Sequence, residues 1–228
     1  MQTSRRQFLQ MGVGVMAAGM SATLLQAKLA NAAPIAPLTA DQALEHLLIG
    51  NQRYISRKKM YLNQTQSRLQ EVAQGQHPFA VILGCADSRV PPEILFDRGL
   101  GDLFVVRVAG NSLNDSTLAS IEYAVRNLAV PLVMVLGHER CGAVTAVLEK
   151  QELPGHLSQF AAAILPAIEA SAQEEGDRLD NAVRANIRFV TAQLRASTPV
   201  LAERVEAKQI KIVGARYDLD TGRAEVIA

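Results

Sequence analysis

Two apolar runs end in the only cysteines of the chain, and no other feature limits the possible fold as much. Val81-Ile82-Leu83-Gly84 leads directly into Cys85-Ala86-Asp87-Ser88-Arg89, and Leu132-Val133-Met134-Val135-Leu136-Gly137 leads into His138-Glu139-Arg140-Cys141-Gly142. A short, continuous apolar run between polar segments reads as a strand buried on both faces, as in a parallel sheet covered by helices. In such sheets ligands bind in the crevice beyond the carboxyl ends of the strands. Both stretches put their reactive side chains there. Two thiols and one imidazole form a three-ligand set suited to zinc, with a fourth position left open. Other readings exist at this point. Two cysteines cannot make a disulfide framework, but they fit a pair of buried core thiols or a single disulfide. A Cys followed by Arg also suggests the oxyanion loop of a phosphatase or sulfurtransferase. That loop is longer, whereas here three residues intervene and one of them, Asp87, repels an anion. A zinc-holding assembly protein without turnover is a third possibility.

The remaining pattern alternates strand with helix. Strand signals fall at 79–84, 103–108, 132–137 and 210–217, and a short one at 224–227 follows the Asp220-Thr221-Gly222 turn. Helical periodicity occupies about 41–57, 65–74, 115–128, 142–150, 157–172 (kinked or restarted at Pro166), 177–196 and 199–207. A short helix opens at Pro91-Pro92. Asp115 or Ser116 and Thr198 are the expected caps of their helices. The expected fold is α/β: a mostly parallel central sheet of four strands plus a short antiparallel edge strand, flanked by helices and preceded by an N-terminal helical arm.

A chain of 228 residues with 49% hydrophobic content can bury one sizeable core. The net charge of +1 and the absence of Trp give neither the basic footprint nor the stacking platform of a nucleic-acid binder. The first 32 residues read as a signal. Ser4-Arg5-Arg6-Gln7-Phe8-Leu9 is a twin-arginine pattern, a Gly-interrupted apolar run follows to Leu25, and Ala30-Asn31-Ala32 offers small residues for cleavage. The run is too short for a permanent membrane span. The expectation is therefore a removed twin-arginine signal peptide at 1–32, export in the folded state to a periplasm or equivalent lumen, and one zinc domain at 33–228. Export after folding lets two thiolates load metal in a reducing cytoplasm.

Zinc lowers the pKa of a bound water to roughly 7, which makes hydroxide available at neutral pH. Such a nucleophile needs an acceptor to orient it. Asp87, two residues after Cys85, is placed for that role, and Arg89 can hold it ionised through a paired contact.

These motifs carry a resemblance. With Cys-Ala-Asp-Ser-Arg at 85–89, His-Glu-Arg-Cys-Gly at 138–142 and Gly-Asp-Leu-Phe-Val-Val-Arg at 101–107, the chain resembles the β-class carbonic anhydrases. The likeness extends from the N-terminal helices to the final Tyr-Asp-Leu-Asp-Thr-Gly-Arg hairpin. It implies reversible hydration of carbon dioxide to bicarbonate and a proton. It implies one Zn2+ per subunit on Cys85, His138 and Cys141, with Asp87 and Arg89 governing the fourth position and Asp87 itself a fourth ligand in a closed state. Gln76, Phe104, Tyr123 and Gly142 correspond to substrate-pocket positions. Since the family builds that pocket partly from a neighbouring subunit, the resemblance implies a homodimer, or a tetramer or higher assembly made from it. Ala109 stands where many members have a bulkier apolar residue. Of the remaining histidines, His46, His77 and His156, one is a candidate proton shuttle.

Overall fold

The computed structural model describes residues 38–228, and the expected signal segment lies outside them. The first helix, α1 (Ala40–Ile55), begins where Thr39 can satisfy orphan N–H groups. Its hydroxyl accepts from the Gln42 N–H while the Gln42 side chain accepts from Thr39, a reciprocal capping box. Helix α2 (Gln66–Val72) starts on the Thr65 hydroxyl, which accepts from the Arg68 N–H without a reciprocal bond. The chain then alternates: β1 (Ala80–Cys85), α3 (Pro92–Leu95), β2 (Leu103–Val108), a single 3-10 turn at Ala109–Asn111, α4 (Asp115–Asn127), β3 (Leu132–His138) and α5 (Gly142–Leu148). Then come α6 (Leu157–Ala170), α7 (Arg178–Ala196), α8 (Leu201–Glu206), β4 (Lys211–Tyr217) and β5 (Ala224–Val226).

The five strands form one sheet in the order β2-β1-β3-β4-β5, with β5 antiparallel to β4 and every other pairing parallel. Every residue of β1 and β3 is buried, which accounts for their unbroken apolar sequence. Alternation along the strands divides the core in two. Val81, Leu83, Val133 and Val135 face α4, α5, α6 and α7. Ala80, Ile82, Leu132, Met134 and Leu136 face α1 and α3. Helix α7 turns Val183, Ile187, Val190 and Leu194 inward, each worth roughly 1.5–3 kcal/mol of burial. It lies close to β3 because Gly137 has no side chain: a Cβ there would stand 2.5 Å from Ile187 Cγ1. Asn51 joins α1 to the far end of the chain, donating to Leu95 and Gly222 carbonyls and accepting from the Ala224 N–H. Among the described residues no helix is long and apolar enough to cross a membrane.

Three local expectations are corrected. Asn114, not Asp115 or Ser116, caps α4, because its side chain and Thr117 exchange hydrogen bonds across the first turn. Thr198 does not cap α8: the helix begins at Leu201, and the Ala202 N–H reaches back to the Ser197 carbonyl. Pro166 neither breaks nor restarts α6. The ladder bond it forfeits is offset by burial of Ile164, Ala167 and Ile168 on the same stretch.

Candidate active site

β1 and β3 are neighbours in the sheet and finish side by side, at Cys85 and His138. Between His138 and Cys141 the chain reverses through Arg140, which takes a left-handed φ of 48°. That reversal brings the Cys141 Sγ to 3.9 Å from the Cys85 Sγ. The two sulfurs and a His138 ring nitrogen all lie within 4.8 Å of one another. The three side chains are essentially sealed, at 4%, 0% and 1% exposure for Cys85, His138 and Cys141.

Each member is held from behind. The His138 Nδ1 lies 2.8 Å from the Glu139 carbonyl oxygen. A carbonyl only accepts, so Nδ1 carries the hydrogen and Nε2 presents a lone pair. That Nε2 is buried and has no hydrogen-bond partner. The Glu139 carboxylate is fixed by the Arg216 Nη2 at 2.5 Å and the Leu219 N–H at 3.0 Å, so β4 steadies the peptide that steadies His138. The Cys85 Sγ accepts from the Gly110 N–H at 3.3 Å. Gly110 has φ 65°, and a Cβ on it would sit 2.5 Å from Ile164 Cδ1, so this tight approach of backbone to thiolate requires glycine. The Asn186 amide on α7 donates to the Gly110 carbonyl at 2.9 Å and fixes the turn.

Asp87 stands at the mouth of this cluster, its Oδ2 3.8 Å from His138 Nε2. Arg89 grips it at both oxygens, Nε to Oδ1 at 2.9 Å and Nη2 to Oδ2 at 2.7 Å, and the Arg89 N–H adds a third bond at 2.9 Å. Those bonds lower the carboxyl pKa to about 2. Arg107 ties the intervening backbone, donating to the Cys85 carbonyl at 2.9 Å and the Asp87 carbonyl at 2.5 Å. The thiols behave as a pair. The hydrogen bond from Cys141 pulls the Cys85 thiol down to about 4 against its burial, and the same bond together with burial pushes Cys141 up. A divalent metal would meet two convergent sulfurs and one unpartnered imidazole nitrogen, and a donor set of this kind suits zinc.

Of the residues named from the sequence, one strand-end crevice brings together Cys85, Asp87, Arg89, His138 and Cys141. Gly142 opens α5 just after Cys141, exposed, with nothing within 4 Å of where a Cβ would stand. Gln76, Phe104 and Tyr123 lie elsewhere in the protomer. Phe104 pairs with Val81, four residues short of the Cys85–Val108 pair and so about 13 Å down the strand. Tyr123 is 48% exposed on α4, its ring 6.4 Å from that of Phe104. Gln76 is exposed ahead of β1. Reading the sequence missed the supporting roles of Arg107, Gly110, Asn186 and the Glu139–Arg216 pair. The one available signal was Arg107, a charge inside the apolar run Leu103-Phe104-Val105-Val106-Arg107-Val108. A second acidic group, Glu139, Asp218 and Asp220, is taken up by ion pairs with Arg140 and Arg216.

The chain is similar to known proteins along most of its length. A family model described as carbonic anhydrase matches residues 80–224. Carbonic anhydrase 2 of Mycobacterium tuberculosis is 40% identical over 192 residues, covering 82% of this chain and 91% of that protein. The carbonic anhydrase of Mycolicibacterium smegmatis is 39% identical over 194 residues, covering 83% and 93%. Among solved structures, the β-carbonic anhydrase CcaA superposes with a TM-score of 0.65 at 26% identity, covering 81% of this chain and 95% of that one. The β-carbonic anhydrase CafA of Aspergillus fumigatus does so at 0.65 and 28%, covering 81% and 90%. Matched along most of its length by these enzymes, a chain whose neighbouring parallel strands β1 and β3 end in Cys85 and His138 belongs to the β-class carbonic anhydrase family, and the reaction it catalyses is the hydration of carbon dioxide.

Proposed function

We propose that the chain hydrates carbon dioxide with one zinc ion held by Cys85, His138 and Cys141, and with the Asp87–Arg89 pair orienting the nucleophile. Zinc bound there supplies an acidified water, and so a nucleophile at neutral pH. The observation that carries this reading is the buried, unpartnered His138 Nε2, aimed into a space walled by two thiols and Asp87. The protein's own part is orientation. Asp87, kept ionised, accepts a hydrogen bond from the attacking oxygen and leaves its lone pair free for carbon. Arg89 keeps the carboxylate from swinging inward and becoming a ligand itself. Arg107 holds the Cys85–Asp87 backbone so that neither group drifts. Metal analysis and stopped-flow hydration on one preparation test the proposal, with Cys141→Ser as the control taken up in the Discussion. Stoichiometric zinc without turnover would favour a binding protein, and turnover without metal would overturn the reading.

The working site in this proposal spans two protomers. Gln76, Phe104 and Tyr123 stand on the surface or near it, too far along the sheet to serve their own cluster, and β2 is an open sheet edge. They act in a neighbouring copy's crevice. Co-assembling an Asp87→Asn chain with a Gln76→Ala chain tests this. A mixed dimer then holds one site with both lesions and one with neither, so activity returns to about a quarter of wild type when the chains assort randomly. Sites built within one protomer would stay impaired in every combination.

We also propose that residues 1–32 direct twin-arginine export to a periplasm or equivalent lumen, on the strength of Arg5-Arg6, the apolar run and Ala30-Asn31-Ala32. Replacing both arginines with lysine should leave the protein in the cytoplasm, and normal export would end the assignment.

A further inference from the structure

Helix α1 ends at Ile55, and the chain continues through Arg57-Lys58-Lys59-Met60-Tyr61 before α2. Three consecutive cations and two large apolar side chains therefore share one short loop. The loop is held from inside. Arg57 and Tyr61 both take left-handed backbone, with φ of 59° and 52°, a region that residues with side chains seldom enter. The Lys58 N–H donates to the Arg53 carbonyl at 2.9 Å. The Met60 and Tyr61 N–H groups donate to the two oxygens of Asp97, at 2.9 and 3.1 Å. That carboxylate is fully buried and also accepts from the Arg53 Nε at 2.6 Å. One buried anion thus fixes the backbone, while the side chains of the loop stay outside.

Outside, Arg57 and Lys59 line a cavity of about 350 Å3 together with Tyr54 and Tyr61, and no acidic residue lines it. The Lys59 Nζ rests 4.8 Å from the centre of the Tyr61 ring. Among the described residues, the ion pairs engage other cations and leave Arg57, Lys58 and Lys59 without a carboxylate partner. Cations without counter-ions around a hollow attract an anion. A planar guanidinium fork beside an ammonium point charge suits a phosphate group. The rim decides what carries that phosphate. Met60 and Tyr61 are 63% and 61% exposed, more than any other large apolar side chain described. A free phosphate in water has no use for them. A phospholipid surface does: Tyr settles at headgroup level, apolar side chains enter the boundary beneath, and basic residues are drawn to an anionic leaflet. The net charge of the chain is only +1, so no general attraction draws it to such a surface and the loop has to supply one.

We propose that this loop docks the protein on an anionic phospholipid surface, with a lipid phosphate seated between Arg57 and Lys59 while Met60 and Tyr61 enter the headgroup layer. None of these residues belongs to the zinc cluster or to the pocket positions named above. The docking site gives the enzyme a location and depends on none of the catalytic assignments.

The test sediments the zinc-loaded full-length protein with vesicles of phosphatidylcholine mixed with phosphatidylglycerol, and with vesicles of phosphatidylcholine alone, at a lipid concentration that binds part of the wild type. The wild type is expected to prefer the mixed vesicles, and added salt to weaken that preference. Arg57→Gln combined with Lys59→Gln should lower partitioning onto the mixed vesicles at least about tenfold. Met60→Ser combined with Tyr61→Ser should lower it as well. Both double variants should keep their zinc and hold kcat/KM within about twofold of wild type. Every chain retains residues 1–37, so a difference between chains reads the loop and nothing before it. A wild type that does not distinguish the two vesicles overturns the proposal, and so does equal binding by the wild type and the Arg57→Gln, Lys59→Gln chain. Binding of inorganic phosphate that these two substitutions abolish, with no binding to vesicles, would make this a free-phosphate site and overturn lipid docking. A smaller assembly for Met60→Ser with Tyr61→Ser on light scattering would give the apolar pair to a contact between copies, which also overturns it. If a double variant melts early, Lys59→Gln alone is read by the same criteria.

Discussion

Cys141→Ser is expected to purify as a folded protein with less than about a tenth of a zinc ion per chain and with hydration slowed at least about a thousandfold. The reasoning begins with the donor. A serine hydroxyl does not ionise at neutral pH, so the site keeps one sulfur and one imidazole, and two neutral-to-weak contacts cannot replace a thiolate. The position tolerates the change sterically, because the substitution removes no volume beyond the difference between sulfur and oxygen. The fold should survive. β1 and β3 are buried on every residue, and the clusters on both faces of the sheet also draw on α1, α3 and α4, away from Cys141. A buried hydroxyl without a matched partner costs about 1–3 kcal/mol, so the melting temperature should fall by a few degrees while the far-ultraviolet spectrum stays native. Removing metal from the wild type with a chelator should give the same silent, folded protein, and zinc should restore that sample but not Cys141→Ser. A variant that kept stoichiometric zinc and its normal rate would remove Cys141 from the ligand set.

The strand ends were readable because each packs its whole message into about ten residues. Val81–Arg89 and Leu132–Gly142 carry burial in their apolar half and chemistry immediately after it, and β strands turn that order into position without help from distant parts. The paired termini follow from parallel pairing of the two strands, which the alternation of strand and helix already implies. What could not be read depends on contacts across long separations. Glu139 meets Arg216 from a strand 77 residues later, and Asn51 meets Ala224 across 173. No local pattern marks either partner. The α4 cap was misplaced by one residue because Asn114, Asp115 and Ser116 all have side chains suited to the role. Only the first is placed to exchange bonds with Thr117. Proline rules misjudged α6 at Pro166, where tertiary burial outweighed a local preference. Gln76, Phe104 and Tyr123 show a different limit. Motif likeness named them as pocket residues, yet the single chain sets them away from the cluster; in the two-protomer site proposed above their use depends on assembly, which no single chain encodes in its own contacts.

Asp87→Asn should retain about one zinc per chain and lose roughly two to three orders of magnitude in kcat/KM. The amide matches the carboxylate in shape but not in charge. Its oxygen accepts less strongly, and its NH2 can turn toward the attacking oxygen as a donor, which would aim the lone pair wrongly. Metal affinity should hold because Cys85, His138 and Cys141 are untouched and because the side chain of Asp87 is bound to Arg89 rather than to the cluster. Stability should change by less than about 1 kcal/mol, since Arg89 is half exposed and water can solvate the freed guanidinium. This pattern is the reverse of that for Cys141→Ser, where metal and rate fall together, so the two variants separate holding the cation from using it. Arg89 can be placed in the same scheme. If it acts only by fixing Asp87, then Arg89→Gln slows the wild type but adds nothing to Asp87→Asn, and the two losses fail to sum. Fully additive losses would give Arg89 a direct role with substrate. A near-normal rate for Asp87→Asn would leave orientation of the nucleophile to some other group.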